Sequence, residues 1–428
     1  MTNLLCEVAI IGAGLAGLAA ADSLKSQGYN VKVIEAESRV GGRVLTYHLP
    51  DNTHFELGPF SFGDGEQPLW DYIHRFALPI IKHTQMERIF WFKDWTGKIS
   101  EKGHFLKGKE QELPLYLLLN SYREKLEKIS EDMPLRDALQ FVGASENAIE
   151  WLQANTLVGL LGNGFEINST HAALAFLKQY DNSTSFYAIQ GGNDQLPQAF
   201  AKQLKENFLF NYRVQKIEHL KDKCILTGER FTIEARRVIF AIPLPEIRKI
   251  EISPPLSLEK QSAIQNIPYT LCARISIIAP SAIFGIPPRG GVFLFSDCLG
   301  WFREQTLFQI DPHKKTVLSI SLVGHQAEKL FSSVGEWKRS IDEALSKLYP
   351  KWDPKLAEYY AHVSKEGYSY FSTNRKELQN SLRKVEGRMH FAGEHTSDKF
   401  SSMNGALESG IRVGKEIQAY EEIRRSKL

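Results

Sequence analysis

An α/β and α+β fold, in which an open parallel sheet flanked by helices is interleaved with a second unit of mixed β-sheet and helices, is predicted for this 428-residue chain by three features. A glycine-rich turn joins a short apolar run to an alanine-rich stretch close to the first residue. A second apolar run, closed by an acidic residue, follows it. Buried-strand patterns then return near residues 238 and 389, far in sequence from the turn beside which they would have to pair.

Cys6 to Ile11 reads as a buried strand, Gly12-Ala13-Gly14-Leu15-Ala16-Gly17 as the turn, and Leu15 to Gln27 as the helix that the strand feeds. Gly12 permits the tight turn, Gly14 lets the backbone approach a pyrophosphate, and Gly17 lets the helix pack closely on the sheet. The N–H groups at the helix start, around Leu15 and Ala16, favour an anion. Asn30 to Ala36 is a second strand ending at Glu35, placed to accept hydrogen bonds from ribose hydroxyls and to repel a 2′-phosphate. An acid here does not separate NAD from FAD. Arg39-Val40-Gly41-Gly42-Arg43 does, by adding a second glycine approach and a cation for the pyrophosphate of an extended dinucleotide. The reading is a Rossmann-like, glutathione-reductase-like FAD-binding unit.

Beyond it, Gln67 to Tyr187 reads as mostly helical, with start signals at Asp132 before Pro134, at Ser145 and at Asn168-Ser169. Gln190 to Lys205 is a glycine turn and a helix. Short strands are expected at Tyr212 to Leu220, Lys223 to Thr227 and Arg230 to Ala235, with Val238 to Ile242 a separate buried strand closed by Pro243. Leu271 to Ala279, Gly291 to Ser296 and Thr316 to Val323 are β-rich, and a helix is expected near Val334 to Leu348. Gly387 to Glu394 is a strand ending in a glycine turn, and Ser402 to Arg424 a closing helix. The expected division is 1–66, 188–265 and 384–428 for the cofactor unit, with 67–187 and 266–383 for the substrate unit. The active site then falls in the cleft between them.

Fifty-two Lys and Arg against 50 Asp and Glu leave a formal charge of +2, with no basic block long enough to follow a phosphate backbone, so nucleic acid is not an expected partner. The mixed-sign stretch from Arg123 to Asp132 reads as a solvated helix face. Cys6, Cys224, Cys272 and Cys298 are isolated, which suggests neither a metal site nor a disulfide framework. No signal region or transmembrane run is expected. Ser426-Lys427-Leu428 spells a peroxisomal address where an import receptor exists, and otherwise a cytoplasmic protein is expected.

With these residues on the page, the chain resembles the flavin-dependent amine oxidase superfamily of monoamine, polyamine and L-amino-acid oxidases. The likeness runs through Gly12 to Gly17, Glu35, Arg39 to Arg43, Glu56-Leu57-Gly58-Pro59, Gly191 to Pro197, Val238 to Pro245, Phe391 to Ser397 and Gly405 to Gly410. It implies a cofactor site built from Gly12, Gly14, Leu15, Ala16, Gly17, Glu35, Ala36, Arg39, Gly41, Gly42, Arg43, Gly58, Pro59, Val214, Gly393, Glu394 and Met403. Glu394 would lie near the ribityl-pyrophosphate, accepting from a ribityl hydroxyl or orienting Arg43, and Met403 near the flavin ring. His395 would be a turn histidine bonded to backbone.

The likeness also implies a small-molecule amine substrate, hydride transfer to flavin N5, imine hydrolysis, and molecular oxygen as acceptor with release of peroxide. Its catalytic candidates here are Tyr368, a wall that directs the nitrogen, and Arg274, which stands where many oxidases carry a lysine holding water against the flavin. The second aromatic of the family's cage aligns with Ser402; Phe60, Tyr370 or Phe400 could fill that space, and Phe60, Ser61, Tyr370 and Ser402 are the expected pocket residues. Gly367 replaces the cysteine of covalently flavinylated members, so the FAD is expected to be noncovalent. Ser61 stands where amino-acid oxidases carry a carboxylate-binding arginine, so an amino acid loses that anchor. A flavin desaturase or porphyrinogen-type oxidase, or a decayed flavin-binding module, are the alternative readings of the same fold.

Overall fold

The computed structural model describes residues 2–83, 88–93, 95–155, 161–162, 164–179, 185–284, 293–296, 300–305, 315–332, 336–372 and 375–425. Ser426-Lys427-Leu428 lie outside the described residues.

The first sheet is gathered from distant parts of the chain. Thr2–Ile11 lies at its centre, parallel to Val31–Glu35 on one side and Phe231–Phe240 on the other, and Phe208–Phe210 extends it beyond Val31–Glu35. The strand expected to break between Ala235 and Val238 is continuous. It exchanges neighbours there instead: Phe231 to Ala235 pair antiparallel with Cys224–Gly228, whereas Val238 to Phe240 pair parallel with Met389–Phe391. Its alternating first half faces two environments, and its apolar second half is buried on both faces, so one strand reads as two. The Tyr212 to Leu220 run forms a strand only over Lys216–His219.

The second sheet runs in the order Glu358–Ser369, Tyr269–Pro280, Lys315–Val323, Gly300–Glu304, Phe293–Ser296, Arg88–Phe92, Trp95–Lys98. Two of its strands therefore come from the block read as helical, which holds the helices Leu118–Leu126, Leu135–Phe141, Glu146–Asn155 and Thr170–Lys178 as well. The Arg123 to Asp132 stretch is helical only to Leu126. Ser169 caps the last of these helices by accepting the Ala172 N–H. Glu358–Ser369 carries charged residues along an exposed edge, and its pattern gave no strand signal. A small third sheet, Phe62–Gly63, Phe186–Ile189 and Ile80–Lys82, stitches the early segments together.

Two helices face each other across the first βα unit, Leu15–Lys25 and the closing Met403–Arg425. They touch through small residues: a Cβ on Gly410 would sit 2.2 Å from the Ala16 carbonyl oxygen, and one on Gly414 would sit 2.4 Å from Ser23 Oγ. Asp22, on the first helix, is buried under a two-pronged pair with Arg75 at 2.6 and 2.8 Å and also accepts from Gln203 at 2.9 Å, which fixes the flanking helices.

Gly410→Leu should push the closing helix off the first one. A loss of about 1–3 kcal/mol is expected from such overpacking against backbone, read as a lower urea midpoint at unchanged slope. A midpoint equal to the parent's would mean that the two helices do not pack this closely.

Candidate active site

The carboxyl ends of the parallel strands converge on one crevice, the place where ligands bind in open α/β sheets. Gly12 N–H donates to the Ile34 carbonyl, Ala241 N–H to that of Ile11, and Ala392 N–H to that of Phe240, so all the strand ends are tied side by side. Gly14 then caps the Leu15–Lys25 helix, with no side chain bonded to the helix end and no acid in its first turn. The N–H groups of Leu15, Ala16 and Gly17 have no acceptor inside the helix. A Cβ on Gly14 would meet nothing within 4 Å, and one on Gly42, which has φ +55°, would approach only the Gly14 backbone at 3.5 Å. Gly41 pairs with Gly14 and donates its N–H to the Ala13 carbonyl at 2.8 Å. Two glycine loops thus border open space at an uncapped helix N-terminus, which fits a pyrophosphate.

Glu35 ends its strand with both carboxylate oxygens aligned, one accepting Ala13 N–H at 2.8 Å and the other Glu37 N–H at 2.9 Å. Each keeps a free lone pair for a ribose hydroxyl. Ala36 is half-buried beside it, and Val214 is buried just beyond Tyr212, whose N–H donates to the Glu35 carbonyl. Arg39 opens the second glycine loop. Its guanidinium donates to the carbonyls of Val40 and Gly42 and pairs with Glu37 at 3.1 Å, so it braces its own loop and leaves Arg43 as that loop's inward cation.

Glu394 is the meeting point of the site. Buried, it pairs with Arg43 at 2.9 Å and accepts from Ser369 N–H at 3.1 Å, Ser369 Oγ at 2.6 Å and Ser401 N–H at 2.9 Å. Burial pushes its pKa up, but the Arg43 charge and these donors outweigh burial and hold the carboxyl down to about 2. Arg43 also donates to the Gly367 carbonyl, and Gly58 lets the Pro59 turn lie against the Arg43 backbone, where any Cβ would come within 2.1 Å of the carbonyl oxygen. Gly393, at φ +137°, hands its N–H to Ser409 Oγ on the closing helix. His395 is bonded not to backbone but to the Tyr269 hydroxyl at 2.8 Å, and burial pushes it down to about 4, so it is neutral at physiological pH. Met403 is buried at the start of the closing helix. Ser402 caps that helix: its hydroxyl accepts Gly405 N–H at 2.9 Å and donates to the Lys399 carbonyl. Phe400 packs with Phe176 and Phe371 in the core.

A second cluster faces Arg43 from the other sheet. The register of Tyr269–Pro280 against Glu358–Ser369 shifts between Thr270 and Cys272. This bulge brings Tyr269 and Cys272, three residues apart, to the same side, where both act on Arg43. Tyr368 hydrogen-bonds to the Cys272 thiol, whose pKa is pushed up to about 11 by burial. A Cβ on Gly367 would lie 2.1 Å from Cys272 Sγ, so no side chain fits at that position. Arg274 lies over the Phe60 ring, 4.1 Å from its centre, and donates to Ser321. Tyr370 is buried with its ring against Gly162. Ser61 is half-buried next to Phe60.

Sequence reasoning assigned no role to Glu56, Tyr269 or Cys272. Glu56 is buried near Arg274, accepts from Thr46 Oγ1 at 2.9 Å and Asn193 N–H at 2.8 Å, and is pushed up to about 8 by burial. The bulge that aims Tyr269 and Cys272 leaves no mark in residue type.

A dinucleotide crevice facing an enclosed corner of tyrosine and arginine defines an oxidoreductase that works with a bound flavin. The chain belongs to the flavin-containing amine oxidoreductases, whose family profile matches residues 15–418. YobN of Bacillus subtilis (strain 168), provisionally named an L-amino-acid oxidase, is 27% identical over 96% of this chain and 94% of its own length. The L-amino-acid oxidase of Naja atra is 27% identical over 96% of this chain and 87% of its own. Cyclohexylamine oxidase from Brevibacterium oxydans IH-35A shares the fold, with a TM-score of 0.82 at 18% identity, covering 97% of this chain and 99% of that one. Among the described residues no helix is long and apolar enough to cross a membrane.

Glu394→Gln should leave Arg43 without its counter-charge and cost about 3 kcal/mol or more, as removing one partner of a buried pair does. In the parent, a carboxyl held near 2 in the fold against about 4.3 in the unfolded chain stabilises fully above the higher value, and that contribution is lost as pH falls through the lower one. Denaturant melts of both proteins between neutral pH and acid should therefore converge as the pH drops. Parallel curves would show that Glu394 carries no ion pair.

Proposed function

We propose that the chain is an FAD-dependent amine oxidase that holds its flavin noncovalently in the crevice described above. The observation that carries this reading is the Glu394–Arg43 pair, because it locks the glycine loops of the dinucleotide crevice to the strand bearing Tyr368. Residues 1–66, 188–265 and 384–428 would form the cofactor unit, and 67–187 with 266–383 the substrate unit. Gly12, Gly14, Leu15, Ala16, Gly17, Gly41 and Gly42 would cradle the pyrophosphate. Glu35 and Ala36 would meet the ribose and Val214 the adenine, while Arg43, Gly58, Pro59, Gly393, Glu394 and Met403 would surround the ribityl chain and ring.

Held by these residues, FAD would supply a two-electron acceptor for the hydride on the carbon bearing the amine, with oxygen taking the two electrons as peroxide and water hydrolysing the imine to carbonyl and amine products. The chain's part is to orient and dry the substrate. Tyr368 would wall the nitrogen side, held through its neighbour Ser369 by Glu394 and through its hydroxyl by Cys272. Burial lowers an ammonium pKa and favours the neutral, reactive amine. Arg274 would keep a fixed positive charge or a water in the cleft. Phe60, Ser61, Tyr370 and Ser402 would shape the pocket. No side-chain base is required, and neither the neutral His395 nor the pinned Glu56 is placed as one.

Anaerobic mixing with a panel of amines should bleach the flavin, and air should restore it with peroxide. Bleaching only by a bulky apolar substrate that is not an amine would support the desaturase or porphyrinogen-type alternative. Glu35→Ala should weaken flavin binding at least about tenfold, since each charged hydrogen bond is worth roughly 1.5–3 kcal/mol; equilibrium dialysis with an unchanged dissociation constant would misplace the ribose. The un-ionised Cys272 thiol is a poor nucleophile, so heat should release all the flavin to the supernatant. Colour retained in the precipitate would refute noncovalent binding.

A further inference from the structure

Two acids from separate parts of the fold meet at one point. Glu246 lies in the short helix Leu244–Ile247, just past the end of Phe231–Phe240. Glu366 lies in the bulge of Glu358–Ser369, between Ser364, which faces Cys272, and Tyr368, which faces Thr270. Their carboxyl groups hydrogen-bond to each other. Lys249 pairs with Glu246 and lies 3.9 Å from Glu366, and Arg213 pairs with Glu246 at 2.9 Å. Arg43 acts on Glu366, and Glu366 acts in turn on Tyr269 and Arg248. Arg248 donates to the carbonyls of Ile264, Gln265 and Ile267, at the end of the helix Leu258–Asn266.

An ionised carboxylate only accepts, so two carboxyl groups can hydrogen-bond to each other only while one of them holds a proton. Such a pair takes up and releases protons as a unit. The neighbouring charges decide where the proton sits. Burial pushes Glu246 up, but Lys249, the bond from Glu366 and Arg213 outweigh it and hold Glu246 below the usual carboxylate range. Burial and then the charge of Glu246 push Glu366 above that range. Glu366 therefore carries the proton and donates it to Glu246. Among the described residues no group of acids, histidines and cysteines is arranged to hold a metal ion, and the lysine and arginines already supply the positive charge. The pair joins segments on which the cofactor reading depends. Arg213 precedes Val214, and Leu244 N–H donates at 3.4 Å to the hydroxyl of Tyr269, over whose ring Arg43 lies. Glu366 precedes Gly367, whose carbonyl accepts from Arg43, and Tyr368 follows.

We propose that Glu246 and Glu366 form a one-proton latch that holds Leu244–Ile247 to the strand carrying Tyr368 and so retains the flavin, and that loss of the shared proton opens it. This rests on the flavin-binding reading above and goes beyond it. Both acids are positioning residues, acting through Arg213, Gly367 and Arg43. The contribution of Glu366, whose folded value is raised, is present below the ordinary glutamate range and is lost as pH rises through the raised value. That of Glu246, whose folded value is lowered, is present above the ordinary range and is lost as pH falls through the lowered value, when its pairs with Arg213 and Lys249 disappear. The latch is closed between the two.

The test uses the flavin-loaded protein. Flavin release on dilution, read as the gain in free-flavin fluorescence, should quicken as pH rises through the ionisation of Glu366, by about two- to fivefold, the size that a half-exposed charge interaction allows. Glu366→Gln puts an amide N–H where the shared proton was and leaves nothing to titrate, so its release should lack the step. Glu246→Gln removes the charge that raises Glu366, so its step should move down to the ordinary carboxylate range. A parent rate that does not change with pH, or a step that persists unmoved in either variant, overturns the proposal. Infrared difference spectra of the parent against Glu366→Gln, with flavin or without it, should show a protonated-carboxyl band that titrates over the same range, and its absence also overturns the proposal. If the protein binds no flavin, the flavin reading fails by itself and takes the retention role with it, while the infrared band still decides whether the two acids share a proton.

Discussion

The carboxylate of Glu394 is the constraint on which the rest of the site depends. Its oxygens reach Arg43 in the second glycine loop, Ser369 on the edge strand of the other sheet and Ser401 ahead of the closing helix. Each of these segments comes from a different part of the chain, and the carboxylate joins all three. Ser401 sits at φ +59°, a conformation an ordinary residue holds only when its surroundings impose it. Its N–H on Glu394 and its hydroxyl on the Ser369 carbonyl do so. The same carboxylate therefore sets the start of the closing helix, the inward cation and the position of Tyr368.

What the sequence made legible follows from whether the determinant is local. Gly12, Gly14 and Gly17 lie within one turn; a Cβ on Gly12 or Gly17 would strike backbone at 2.7 and 2.0 Å, whereas one on Gly14 would point into open space at the helix end. The partnership of Glu394 with Arg43 was accessible as one of two roles for an acid beside phosphate. The continuity of Phe231–Phe240 was hidden because the strand changes partners midway, so its pattern changes too. Glu358–Ser369 was hidden because an exposed edge strand alternates charged with small and aromatic residues and carries little apolar signal. Arg39 shows why a loop cation next to glycines is hard to place from sequence: it has two outlets, an external anion or the loop's own carbonyls, and here it donates to the latter.

The corner around Arg274 was the least legible part, for a reason of register. A strand places alternate residues on alternate faces, and on that rule Tyr269 and Cys272 would point apart. The irregularity after Thr270 cancels the rule, so tyrosine, thiol and guanidinium share one side. Two extra residues on the partner strand, where Thr270 faces Tyr368 but Cys272 faces Ser364, thus accompany the change in which groups the cleft contains. The same stretch shows why Gly367 must remain glycine here: the space its side chain would need is held by Cys272 from across the ladder.

The interlaced topology of the first sheet has a consequence for biosynthesis. Thr2–Ile11 finds its long neighbour only at Phe231–Phe240, and that strand is completed only by Met389–Phe391. At synthesis rates of about 5–20 residues per second, the closing segment follows the first strand by roughly 20–80 s. Throughout that interval the most apolar strands of the molecule have open edges. Those edges stay unpaired until Met389–Phe391 has been made, and the crevice lacks a wall until Met403–Arg425 has followed it.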